Sequence, residues 1–225
     1  MSELSSIVFD TKPLIVKTPC SGAISIAPLT IAQQKKIIST SAKGVHSGVY
    51  LANVLNDIIR TNTDADINIL DRVPIIVALR FEAFGTVVND FDFGVIDLEH
   101  KGPSYPSTTE VTAGGVNFTV KIPNLANDTA INRFLIDEIE KDKEGDLGSV
   151  VGSMYVYEVV RFIDIIDGQD FNSFSIRDRV DFVEQLPAHV VNSVLEVIKS
   201  VRVEERVYNT LGDKSFDLDA TFFTP

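Results

Sequence analysis

The stretch Leu14–Lys17 is short and rich in branched side chains, and Ile24 and Ile26 follow just after Ser21-Gly22. This pattern predicts a hairpin, with a strand near 13–18, a turn at Ser21-Gly22 and a strand near 23–28. Thr30 then stands where a helix N-cap belongs, ahead of "IAQQKKIISTSAK", whose Ile31, Ile37 and Ile38 are expected on one side and whose end is expected at Gly44. A second helix is predicted from Ser47, with a broad apolar face built from Val49, Leu51, Ala52, Val54, Leu55, Ile58 and Ile59. Asp71 is the N-cap expected for a third helix, "RVPIIVALRFEAFG". Pro74 sits early enough there to cost little hydrogen bonding, and Gly85 stops the helix. That helix is apolar on most sides, as a well-buried helix is.

The pattern changes over residues 86–122. "TVV", "FGVIDLE", "EVTAG" and "VNFTVKI" are short, β-branched and punctuated by turn residues. Val116, Phe118, Val120 and Ile122 alternate with polar neighbours, the period of a half-buried strand. A small antiparallel β module of three or four strands is expected here. Helical periodicity returns at "DTAINRFLIDEIEKDKEG" and continues through "DLGSVVGSMYVYEVVRFIDIIDG", read as one long apolar helix. Ser175 caps "IRDRVDFVEQL", and Pro187 opens "PAHVVNSVLEVIKSV". Phe216, Leu218 and Ala220 alternate in a short terminal strand. The predicted class is α+β, because strands and helices are segregated instead of alternating as βαβ units. Three regions follow, 1–85, 86–125 and 126–225, and they can join in one continuous domain.

Composition narrows the partners. The 225 residues are 44% hydrophobic, ample for a core, and carry a formal net charge of -12. That charge disfavours nucleic acid and anionic membranes, and it suits basic protein partners. Met1 to Asp10 show neither a basic stretch nor an apolar run, so no signal peptide is expected. No apolar run approaches the roughly 18 residues of a membrane span. Cys20 is the single cysteine, so neither an internal disulfide nor a cysteine-based zinc site is expected.

Motifs that would carry chemistry are missing or incomplete. No glycine-rich phosphate loop and no nucleophile elbow occurs. His46, His100 and His189 are far apart in the chain and form no metal-binding spacing. "NDFDFGVIDLEH" fails as a calcium loop, since Phe91 and Phe93 fall where oxygen ligands are needed. Its alternation fits a strand with one wet face. The acids Asp137, Glu138, Glu140, Asp142 and Glu144 fall on the outer face of an amphipathic helix, where a solvated charged face is the better reading. No catalytic residue, cofactor or metal is expected.

The order of elements resembles the T4-like (T-even) phage baseplate protein family, which includes the baseplate hub subunit and the hub assembly catalyst. The likeness runs through "KPLIVKTPCSGAISIAPLTIAQQKK", "ILDRVPIIVALRFEAFGTVV", "VNFTVKI" and "DATFF". The segment from Leu79-Arg80 to Gly85 and the terminal Phe222-Phe223 are its most specific parts. Cysteines associated with the late hairpin in that family are missing from "RVYNTLGDKSFD". The resemblance implies a non-enzymatic structural or assembly component of the baseplate hub of a contractile-tailed bacteriophage. It implies synthesis in the host cytoplasm, residence in the virion, and other baseplate or hub proteins as partners. A cytoplasmic adaptor or chaperone, or a small enzyme with an unrecognised site, are the alternatives.

Three residues stand out as candidate partner contacts: Arg80, Phe222 and Phe223. Arg80 is a cation among apolar neighbours, expected either to pair with Asp71 or Asp92, to reach an interface, or to snorkel. The phenylalanine pair is either a partner anchor or a self-docked chain end. If the terminal strand adds to a sheet edge, alternation sends Phe222 and Phe223 to opposite faces, one inward and one toward a partner.

Overall fold

A computed structural model describes residues 11–41, 47–88, 90–93, 107–141, 147–208, 210–211, 214–215 and 222–224. The expectations for Gly44, His46, His100, Asp142, Glu144 and the alternation Phe216, Leu218 and Ala220 fall outside these residues. Within them the chain is α+β, as its pattern predicts.

Strands β1 (Leu14–Thr18) and β2 (Gly22–Ile26) pair antiparallel, with Val16 opposite Ile24 and Leu14 opposite Ile26. Val16, Ile24 and Ile26 face the core while Ile15 and Lys17 face outward, so the alternation sets which side is buried. Helix α1 (Ile31–Ser41) opens on a reciprocal capping box. Gln33 N donates to Thr30 Oγ1 at 3.2 Å, and Thr30 N donates to Gln33 Oε1 at 2.9 Å. Ile37 is buried, but Ile31 is 76% exposed. Six residues at about 100° each turn Ile37 roughly 240° from Ile31, so one narrow stripe cannot hold both.

Helix α2 (Ser47–Asn62) packs on α1, and its buried stripe is Val54, Leu55, Ile58 and Ile59. Helix α3 (Arg72–Phe84) buries Val73, Ile75, Ile76, Val77 and Leu79 against β1 and α2. It ends at Gly85, whose φ of 78° favours glycine. Asp71 occupies the N-cap position of α3 but makes no cap bond. Its buried carboxylate instead accepts from Cys20 N at 2.9 Å, Ser21 N at 3.0 Å and the Ser21 hydroxyl. It fastens the first hairpin's turn to the head of α3, a long-range use that a local motif cannot reveal.

The middle of the chain departs from a self-contained β module. Strands β3 (Val87–Val88) and β4 (Phe91–Asp92) form their own small hairpin. Strands β5 (Thr108–Ala113) and β6 (Val116–Lys121) begin a separate four-stranded antiparallel sheet. Its other half, β7 (Ile163–Ile166) and β8 (Gln169–Asp170), comes from the segment read as the end of a helix. Helix α4 (Leu125–Lys141) matches expectation, whereas α5 (Leu147–Phe162) stops where β7 begins. Asp167 and Gly168, at φ 46° and 81°, make the two-residue turn between β7 and β8. An Asp-Gly pair with both φ positive is the turn that matches strand twist.

Helix α6 (Ile176–Glu184) takes its cap from Ser175, whose hydroxyl accepts from Asp178 N. Helix α7 (Ala188–Tyr208) follows Pro187 and packs across β5 and β6. Gly114 turns β5 into β6 with φ 62°, and a Cβ there would lie 2.8 Å from Val190 Cγ2 of α7. Only glycine meets both the turn and the close helix. One cluster of buried side chains runs from Val16 through α2, α3, the sheet, α5 and α7 to Phe223, so it draws on all three regions. Strands β9 (Thr210–Leu211) and β10 (Lys214–Ser215) pair as a last short hairpin.

Candidate functional site

Arg80, Phe222 and Phe223 do come together, but inside the protein. Arg80 is 1% exposed, Phe222 1% and Phe223 0%. Arg80 Nε donates to Phe222 O at 3.0 Å, Nη2 donates to Val87 O at 2.7 Å, and Nη1 donates to Gly85 O. Its carbon Cζ lies 5.7 Å from the Phe222 ring centroid and 5.8 Å from that of Phe84. Burial pushes its pKa down from the ordinary arginine value, yet three carbonyl acceptors and two rings hold the cation in place. The expected carboxylate partners do not take that part: Asp71 binds the hairpin turn, and Asp92 accepts from Thr86 Oγ1.

The two terminal rings also correct the expectation of opposite faces. They meet edge to face, with centroids 5.1 Å apart, in a turn conformation and not an extended one. Gln34 Nε2 of α1 donates to Phe223 O at 2.8 Å. The pair is therefore a self-docked segment, clamped by α1 and α3 through its main chain. A turn folds both rings onto one side, which strand alternation forbids.

Under the α2, α3, α4 and α5 contacts lies a polar cluster that sequence reading missed. Asp128, 2% exposed, accepts from Asn56 Nδ2 at 2.6 Å, Arg72 Nη1 at 3.1 Å and Asn132 Nδ2 at 3.1 Å. Arg161 Nε lies 2.9 Å from Asp128 Oδ1, close enough for an ion pair though not aligned as a hydrogen bond. Arg161 also pairs with Glu158 at 2.9 Å and donates to Asn132 Oδ1 at 2.7 Å. The residues are scattered over four helices, so no spacing in the chain announces them. Two arginines and two carboxylates offset one another's charge here, and their contacts tie α2, α3, α4 and α5 together.

Next to this cluster is a polar cleft of about 550 Å³ reaching from Cys20 to Asn172. Its amides are already engaged. Asn68 Oδ1 accepts from Leu70 N, Asn124 Oδ1 accepts from Asn127 N, and Asn127 Nδ2 donates to Arg161 O. Asn172 links Asp164 to Arg179. These amides secure main chain and neighbouring charges instead of converging on a common point. Cys20, at the rim, is exposed, and desolvation raises its thiol above the ordinary value, with the Asp71 carboxylate adding to the rise. A raised pKa keeps the thiol protonated and dulls it as a nucleophile.

Of the α4 acids expected on its outer face, Asp137 and Glu140 are exposed, and Glu140 accepts from Tyr50 Oη, whereas Glu138 is half-buried. His189 is exposed on α7. Among the described residues no three His, Cys, Asp or Glu side chains gather as a metal-binding set, and no helix is long and apolar enough to cross a membrane.

The aromatic surface lies elsewhere, where the β7–β8 hairpin meets α6. Ile166, Gln169, Phe171, Phe174, Asp178 and Phe182 line an open depression of about 230 Å³. Phe171 is its buried floor, while Phe174 is 48% and Phe182 38% exposed. Phe171 and Phe182 meet edge to face at 5.8 Å. Two large rings left half in water beside a formed depression are the kind of feature that anchors a partner. No family model matches this chain, and no curated protein or solved structure matches it either.

Proposed function

We propose that the chain is a non-enzymatic structural or assembly component of the baseplate hub of a contractile-tailed phage, working through protein–protein interfaces. The observation that carries the interface part is the pair Phe174 and Phe182, half exposed over a shaped depression. Large aromatic rings supply much of the binding energy at protein interfaces and are costly to leave wet. The engagement of the cleft amides in holding main chain supports a scaffold in place of a reaction centre. The baseplate part rests on the resemblance of "ILDRVPIIVALRFEAFGTVV" and "DATFF" to that family.

Mass spectrometry of purified contractile tails and of baseplate assembly intermediates tests the reading. Peptides of this chain are expected in the hub fraction of one or both. Their absence from both, while the chain is abundant in the infected lysate, overturns the baseplate assignment.

A further inference from the structure

The depression at the β7–β8 hairpin has a charge as well as a shape. Residues 163–185 hold six acids, Asp164, Asp167, Asp170, Asp178, Asp181 and Glu184, against two arginines, Arg177 and Arg179. Asp164 lies 3.7 Å from Lys121 and is partly neutralised. Arg179 is buried: its Nη1 donates to Asn172 Oδ1, and Cζ sits 5.8 Å from the Phe171 ring centroid. It supports the floor from within. Arg177 is exposed on α6, leaving Asp167, Asp170, Asp178, Asp181 and Glu184 exposed on the same two elements. Asp178 lines the depression itself. The dent is thus apolar with one acid in its lining, in a stretch that carries five exposed acids against one exposed arginine, on a chain whose formal charge is already -12.

We infer that this dent receives a short basic segment of a partner protein, with one large apolar side chain seated between Phe174 and Phe182 and flanking lysines or arginines facing the acids. Size supports a single anchoring side chain. The volume of about 230 Å³ is below the roughly 300–1,000 Å³ typical of pockets that enclose a small molecule. Charge decides against a second copy of this chain, because a two-fold contact would set the acidic rim against itself. It also decides against nucleic acid and anionic lipid, whose phosphates the same acids repel. The inference rests on reading the chain as a protein-binding subunit, and it adds the chemistry of the partner.

The test uses the full chain and a fluorescent peptide of alternating lysine and leucine with a central phenylalanine, followed by anisotropy and by amide chemical shifts. The lysine peptide is expected to bind, with shifts concentrated at 166–170 and 174–182. Its affinity should fall by roughly tenfold or more in the double variant Phe174→Ser/Phe182→Ser. A peptide with glutamate in place of lysine should not bind, and raising salt from about 50 to about 500 mM should weaken the lysine peptide several-fold. Equal binding by the double variant, with its melting temperature kept, overturns the inference, as does binding that maps to another face. No binding of the lysine peptide at all also overturns it. Concentration-dependent dimerisation lost in the double variant would give the dent to a second copy and reject the basic partner. Peptide binding with no chain in tail particles would sink only the baseplate reading. The chain in particles with no binding at the dent would sink only this inference.

Discussion

Two pairs of phenylalanines in this protein have opposite fates. Phe222 and Phe223 are adjacent in sequence, are 1% and 0% exposed and touch edge to face. Phe174 and Phe182 flank the start and the body of α6 and are 48% and 38% exposed. Hydrophobicity cannot separate them, since the side chains are identical. The difference lies in what satisfies the main chain and what surrounds the rings. The terminal pair has its carbonyls taken by Arg80 and Gln34, so the chain can enter the core without stranding polar groups. The α6 pair lies over an open depression that the exposed Asp178 helps to line.

The comparison is broken most forcefully at Arg80. Arg80→Ala is expected to cost upwards of about 4 kcal/mol, because three charge-assisted hydrogen bonds, one to a buried and two to part-buried carbonyls, are lost together. Chemical denaturation measures it, and a cost below about 1 kcal/mol would show the clamp to be unimportant. Phe222→Ala and Phe223→Ala come next, at about 3–4 kcal/mol each. The near equality matters. A large loss for one and none for the other would restore the arrangement in which a single ring joins the core. Phe84→Ala, at a partly exposed position against Arg80, should cost about 1–2 kcal/mol in the same assay. Phe174→Ser and Phe182→Ser should each cost no more than about 1 kcal/mol, since water already reaches both rings and only part of each is packed.

What the sequence reveals divides along the same line. The first hairpin, the Thr30 and Ser175 caps, Pro187 ahead of α7 and the Gly85 stop are all local signals, and each stands where its pattern places it. Strands β7 and β8 were hidden because Phe162, Ile163 and Ile166 continue a helical spacing, while Ile163 and Ile165 fit a strand equally well. The Asp167-Gly168 pair is the local sign of a hairpin there, but an Asp-Gly pair equally closes a helix. Asp71 shows the limit of local chemistry. It stands in a cap position, but its carboxylate bonds residues about fifty positions earlier. The choice of Arg80, Phe222 and Phe223 as partner contacts identified three residues that do act together, though as an internal clamp. The exposed dent at α6 gave no sign, because its rings are separated by a helical segment and meet Phe171 and Ile166 only once the β7–β8 hairpin folds back.

The outward face of one phenylalanine pair and the inward docking of the other can be read in a single experiment. Carbene or hydroxyl-radical footprinting of the native chain, resolved residue by residue by mass spectrometry, reports solvent access at all four rings at once. Strong labelling at Phe174 and Phe182 with protection at Phe222 and Phe223 is the predicted result. Labelling of Phe222 or Phe223 at the level of Phe174 would contradict the account, since the terminal pair would then be surface and the clamp around Arg80 open.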